Sequence, residues 1–180
     1  MLSRTDKALL LHTARESITA HLHGTDAAWS AASAVDLPDA SGVFVTIKRR
    51  GELRGCLGVL QLRASLAAEV ARCARDAATA DPRFPPMTAD ELADISLDIS
   101  VLGPLEEIDP RDESTIIVGR HGLVVEQSVR RGLLLPQVAV EWGWTREQFL
   151  DQTCRKAGLA ADAWQRGARV FRFDAEVFGE

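Results

Sequence analysis

An α/β fold is what this 180-residue sequence predicts, on three observations. Apolar residues recur at helical spacing in some segments and alternate with a period of two in others, and the two kinds of segment interleave along the chain. With 46% apolar and 26% charged residues, the composition is that of an ordinary globular chain, not a disordered or fibrous one. The length accommodates one sizeable core, or a main core with a satellite lobe.

The elements follow in order. Over 5–23, Leu11, Ala14, Ile18 and Leu22 share a helical face, with Arg15 and Glu16 elsewhere on the wheel, so an amphipathic helix opens the chain. The stretch 24–41, rich in Ala, Ser and Asp and containing Trp29, reads as an irregular connection. Residues 43–48 are β-branched and aromatic, Arg49, Arg50, Gly51 and Glu52 form a turn, and 53–59 return as the second arm of a hairpin. Gly55 and Gly58 in that arm call for a bulge or for something approaching the backbone closely. A second helix, 65–79, sets Leu66, Val70, Cys73, Ala74 and Ala77 on one face and stops at Asp81-Pro82-Arg83-Phe84-Pro85-Pro86, where three prolines fix φ and remove donors.

Thr88 and Glu91 have capping-box spacing and open a short helix. Ile95, Leu97, Ile99 and Val101 then alternate with Ser96, Asp98 and Ser100, a strand with one face buried. Ile116-Ile117-Val118 and Leu123-Val124-Val125 flank Gly119-Arg120-His121-Gly122 and predict a second hairpin. Leu133, Leu134 and Leu135 supply another short strand that Pro136 ends. A short helix is expected over 137–142, and a capping box at Thr145 and Gln148 starts a helix that Gly158 stops. One further helical turn over 161–165 precedes a terminal strand, 170–177, with Phe171 and Phe173 on one face.

A formal net charge of −5 argues against broad binding to phosphate backbones, so nucleic acid is an unexpected partner. Lys48, Arg49, Arg50, Arg54 and Arg63 cluster locally, the first three as a solvated turn. The cysteines, Cys56, Cys73 and Cys154, are odd in number and far apart, with no histidines at ligand spacing. Neither a disulfide framework nor a structural metal site is indicated, and no cofactor is expected. Arg4, Asp6, Lys7, Arg15 and Glu16 interrupt the first apolar stretch, unlike a secretory leader or membrane span, and the cytoplasm is the expected compartment.

Five motifs occur together in one order: Leu53-Arg54-Gly55-Cys56-Leu57-Gly58, Asp81-Pro82-Arg83-Phe84, His121-Gly122-Leu123, Leu133-Leu134-Leu135-Pro136-Gln137-Val138-Ala139 and Lys156-Ala157-Gly158-Leu159. On these the chain resembles the AMMECR family, also called protein A of the AmmeMemoRadiSam set, with Leu57 where the family motif has Ile. The resemblance runs from the first helix to the last strand and treats 1–180 as a single AMMECR-type domain with two subdomains. It implies a two-lobed fold, a larger β-sheet flanked by helices plus a smaller antiparallel lobe, and a modification pathway shared with a Memo-like protein and a radical SAM protein. It supplies no reaction and no small-molecule substrate.

Cys56 is the residue on which chemistry turns. Flanking Gly55 and Gly58 expose backbone amides, and in an extended strand Arg54 shares a face with the thiol and would favour its thiolate. The alternative is a small buried hydrophobe, as free cysteines commonly are. A nucleophilic thiol needs a base and a group to orient that base. His121 in its glycine-flanked turn is the candidate base and Glu141 the candidate orienter; otherwise His121 is a turn residue tolerating a positive φ and Glu141 a helix-surface acid or an ion-pair partner. Asp81 caps amides while Arg83 pairs with a carboxylate, or Arg83 binds an anionic ligand. Trp142 and Trp144 line a pocket or cover the core, the second being the expected role. These residues support two functions, an enzyme acting through Cys56 in a cleft or a non-catalytic scaffold presenting Arg54, Gly55, Gly58, Asp81 and Arg83 to a partner.

Overall fold

The computed structural model describes residues 2–25 and 37–180; Trp29 and most of the connection around it lie outside the described residues. The fold is mixed α/β with seven antiparallel strands among the described residues, and the chain divides into two compact units, Met1–Leu102 with Glu176–Glu180, and Gly103–Ala175. No described helix is long and apolar enough to cross a membrane.

The first unit begins with α1, Arg4–Leu22, whose N-terminus is closed by a reciprocal capping box between Ser3 and Asp6. Leu10, Ala14 and Ile18 form the centre of its buried face, and Ser17, fully buried, satisfies its hydroxyl by donating to the Ala71 carbonyl at 2.8 Å. Strands β1, Gly42–Arg49, and β2, Glu52–Val59, form the expected hairpin. Arg50 and Gly51 both have positive φ, the requirement of a two-residue turn whose twist matches its strands. Helix α2, Leu66–Thr79, is capped by Ser65 and buries Val70, Cys73, Ala74 and Ala77. A 3₁₀ turn, Ala89–Asp94, carries the Thr88 and Glu91 capping box and leads into β3, Ile95–Leu102.

Strand β3 departs from the single buried face read from its alternation. Ile95, Leu97 and Ile99 are buried on one face, but Ser100 and Leu102 are buried as well, so its last residues are enclosed on both faces. The ladder order is β2-β1-β3, with the C-terminal end of β7, Arg169–Gly179, next to β3. The core of this unit gathers Leu10, Ile18, Val43, Val45, Ile47, Val70, Leu97 and Ile99.

The second unit holds β4, Glu106–Ile108; β5, His121–Gln127; β6, Arg130–Leu134; and the first part of β7, in the order β4-β7-β5-β6. Its hairpin is β5–β6, turning at Ser128 and Val129 with Ser128 at φ 57°, and not the pairing of 116–118 with 123–125 expected from the sequence. Residues 116–118 form no strand. The chain coils there, with the Arg120 and His121 amides both donating to the Ile117 carbonyl, while Ile116 and Val118 contribute to the core from an irregular segment. A short apolar run does not by itself tell a strand from a packed loop.

Pro136 ends the strand and also opens α3, Pro136–Glu141, as its first residue, where its missing N–H costs nothing. Helix α4, Arg146–Lys156, starts at the predicted Thr145 and Gln148 capping box. A 3₁₀ turn, Ala161–Gln165, follows. Phe149, Leu150 and Cys154 of α4 pack with Leu123, Val125, Trp164 and Val170. Trp144 packs against this core, whereas Trp142 is exposed and stacked on Trp144 with centroids 6.2 Å apart, so only one of the two tryptophans covers the core.

The C-terminal end of α4 lies directly on β6, because a Cβ at Gly132 would overlap the Ala157 backbone nitrogen. Gly132→Ala is expected to cost about 1–3 kcal/mol by overpacking, read as a lower denaturant midpoint at unchanged slope.

Candidate functional site

Strand β2 is an edge strand, and its register dictates what its residues can do. The hairpin closes on the pair Arg49 and Glu52, and the partners then run Lys48 with Leu53 and Ile47 with Gly55, so Arg54 is an extra, unpaired residue: a β-bulge. Beyond the bulge Cys56 stands opposite Thr46 in a pair whose backbone groups point outward to the open edge.

Those outward groups are not left open. The Cys56 amide donates to Asp81 Oδ2 at 2.8 Å, and its carbonyl accepts from Arg83 Nη2 at 3.2 Å. Asp81 and Arg83 are themselves joined twice, Nε to Oδ1 at 2.9 Å and Nη2 to Oδ2 at 2.7 Å, and Oδ1 also accepts the Arg83 amide at 3.1 Å. A carboxylate and a guanidinium thus present to the edge the acceptor and donor that a neighbouring peptide would present. Asp81 is buried, and its bonds to Arg83 hold its carboxyl far below the usual carboxylate range despite that burial. Arg83 remains half exposed and lies over the Phe84 ring at 5.5 Å.

The glycines have local causes. A Cβ at Gly55 would overlap the Ala77 carbonyl oxygen of α2, and one at Gly58 would overlap both the Val43 carbonyl oxygen and the Phe44 ring across the hairpin. What approaches the backbone at these two positions is the protein's own helix, neighbouring strand and ring.

Arg54 does not serve the thiol as the extended-strand reading expected. The bulge breaks the alternation that would have set the two side chains on one face, and the guanidinium is bound bidentately to Glu91, at 2.8 and 2.9 Å. Arg49 reaches the same carboxylate at 3.1 Å, and Arg50 pairs with Asp94 at 2.8 Å. The basic run at the hairpin turn is therefore ion-paired, not simply solvated. The cation at Cys56 is Arg83, whose guanidinium is raised chiefly by Asp81 and, more weakly, by the cysteine sulfur. The thiol is half-buried and accepts a hydrogen bond from the Thr46 hydroxyl at 3.2 Å, a partner the sequence reading missed; only the hairpin register could have revealed it.

Cys56 belongs to the first unit, His121 and Glu141 to the second. His121 is the first residue of β5 and buried, not a turn residue; the positive φ in the turn belongs to Gly119. Its Nδ1 accepts the Ile117 amide at 3.0 Å, so the neutral ring carries its proton on Nε2, and its one lone pair is engaged. Burial, reinforced by Arg172, holds the imidazole below its ordinary range. The carboxylate nearest it is Asp174, 3.8 Å from Nε2; Glu141 is exposed at the end of α3, and among the described residues nothing links it to the imidazole.

Among the described residues no group of His, Cys, Asp and Glu is arranged to hold a metal ion. The arrangement at β2 can bind, and it can present a thiol beside a guanidinium. Its electrostatics make one prediction. Arg54 and Thr88 bring the Glu91 carboxyl down to about 2 from 4.5. A depressed carboxyl stabilises the fold above the unfolded-state value, and that contribution disappears as pH falls from 4.5 toward 2, amounting to about 3 kcal/mol. Glu91→Gln is expected to be destabilised by about that much at neutral pH, with the gap to the wild type closing over the acid window in urea titrations.

The AMMECR1 family model matches residues 11–178. A protein of Methanothermobacter thermautotrophicus is 45% identical over 188 aligned residues, covering 99% of this chain and 96% of its own, and one from Thermofilum pendens is 43% identical, covering 99% and 92%. The crystal structure of an uncharacterized protein from Pyrococcus horikoshii superposes with a TM-score of 0.81 at 39% identity, covering 95% of this chain and 89% of that one. With nearly its whole length matched in sequence and in fold, the chain belongs to the AMMECR1 family.

Proposed function

We propose that this chain is a component of a modification pathway that includes a Memo-like protein and a radical SAM protein, and that it acts through the edge of β2 at Cys56. The single observation that carries the site is the clamp at that edge: Asp81 and Arg83 fix both backbone groups of Cys56, leaving the half-buried thiol beside a half-exposed guanidinium. So fixed, the thiol pays little conformational entropy to meet a ligand or a partner's reactive group. The Thr46 hydroxyl donates to the sulfur, and the Arg83 guanidinium is held at the same residue by its bond to the Cys56 carbonyl. The pathway itself is what family membership implies.

A scaffold reading is favoured by a separate observation. Arg54 is bonded to Glu91 and Arg83 to Asp81, and among the described residues the thiol's hydrogen-bond partner is a threonine, which is no general base.

Alkylation with iodoacetamide at neutral pH separates the two. Cys73, pushed up to about 11 by burial, and Cys154, raised for the same reason, serve as internal slow references. The thiol reading expects Cys56 to be modified at least about tenfold faster than either, with Arg83→Ala lowering its rate several-fold while far-ultraviolet dichroism is unchanged. A Cys56 as inert as the two references leaves the scaffold reading, in which Cys56→Ser keeps partner binding and Arg83→Glu abolishes it.

A further inference from the structure

The strand edges in this protein are treated unequally. That of β2 is bridged at Cys56 by Asp81 and Arg83. That of β4 is three residues long and carries Glu106 and Glu107, paired with Arg172 and Arg169. Short, charged or covered edges are the usual protections against strand addition. The edge of β6 carries charge only at its start, on Arg130 and Arg131; beyond them Gly132, Leu133 and Leu134 leave it uncharged, and no side chain among the described residues bridges its backbone.

The register of the β5–β6 hairpin fixes which groups lie on that edge. Gln127 and Arg130 close the two-residue turn as a hydrogen-bonded pair, so the pairs alternate from there: Val125 with Gly132 and Leu123 with Leu134 bond inward. The backbone of Arg131 and Leu133 points outward. Leu135, at φ −73° and ψ 154°, is extended ahead of Pro136 and continues the same phase. The outer edge therefore presents three donors, the amides of Arg131, Leu133 and Leu135, and two acceptors, the carbonyls of Arg131 and Leu133. None has a hydrogen-bond partner among the described residues, whereas the Leu135 carbonyl is already taken by the Val138 amide. The side chains of Leu133 and Leu135 are half-buried.

We propose that this edge pairs with the same edge of a second copy of the chain, antiparallel about a two-fold axis through Leu133. In that register the two Leu133 residues exchange both of their backbone hydrogen bonds, and each Leu135 amide donates to the other copy's Arg131 carbonyl. Every outward group except the Arg131 amide is satisfied. Register also settles the side chains: leucine meets leucine at the centre, and each Arg131 falls opposite a Leu135 instead of another arginine, avoiding like charges across the ladder. Arg131 is moreover already paired with Glu126 at 3.0 Å. Its own sequence makes the edge self-complementary, which is what a two-fold interface requires.

Sedimentation of the full chain over a concentration series tests this, with Leu133→Pro and Leu133→Lys as variants. Proline removes the outward amide, which the fold itself does not use, so the monomer keeps its structure. Lysine instead sets two charges face to face. A reversible monomer–dimer equilibrium is expected, with each variant raising the dissociation constant by at least about tenfold. A wild-type chain that stays monomeric throughout, or a dimer that both variants leave unchanged, overturns the proposal.

Discussion

Cys56 sits where β2 has run out of neighbours, and the fold must supply by side chains what another strand would have supplied by backbone. Buried or half-buried peptide groups left unpaired cost on the order of 1–3 kcal/mol each. The Asp81-Pro82-Arg83 turn answers that cost with one carboxylate and one guanidinium, and much else follows from the position it must hold. Helix α2 has to end at Thr79 so that the chain can turn back to the edge, and Gly55 has to be bare so that α2 can reach that close. The bulge at Arg54 then turns that guanidinium to Glu91, anchoring the 3₁₀ turn that feeds β3.

The charges at this edge are matched almost one to one. Arg54 with Glu91, Arg50 with Asp94 and Arg83 with Asp81 leave little uncompensated field, and the buried members are the acids. Such pairs specify geometry more than they add stability, because each burial offsets part of the attraction. Arg49 Nε and Arg54 Nη1 remain buried without a partner among the described residues, the residue of fitting two guanidinium groups around one carboxylate.

Much of this was legible in the sequence, for reasons that differ by element. The capping boxes at Thr88 and Thr145 and the apolar face of α2 are local patterns, and the structure has them where the spacing set them. Asp81 and Arg83 were readable as a rigid, oppositely charged turn, with Asp81 capping an amide and Arg83 pairing with a carboxylate; that the amide is Cys56's needed the tertiary fold. The bulge was not legible, since one unpaired residue leaves no mark on composition, and it sent Arg54 to the other partner. The run at 116–118 failed for a complementary reason: its apolarity is real and used in the core, but a turn anchored by the Ile117 backbone and the His121 ring competes with strand pairing and wins. Short β4 is held by charge pairs with β7, and three residues carry too little periodicity to be read.

Native-state hydrogen exchange at the Cys56 amide, compared between the wild type and Asp81→Ala, measures the edge clamp directly. If the clamp holds the edge as described, this amide is protected in the wild type, and in the variant it exchanges at the rate of a solvent-exposed amide while the inward-bonded amide of Leu57 stays protected. Fast exchange at Cys56 in the wild type, or protection that survives the loss of the Asp81 carboxylate, would contradict it.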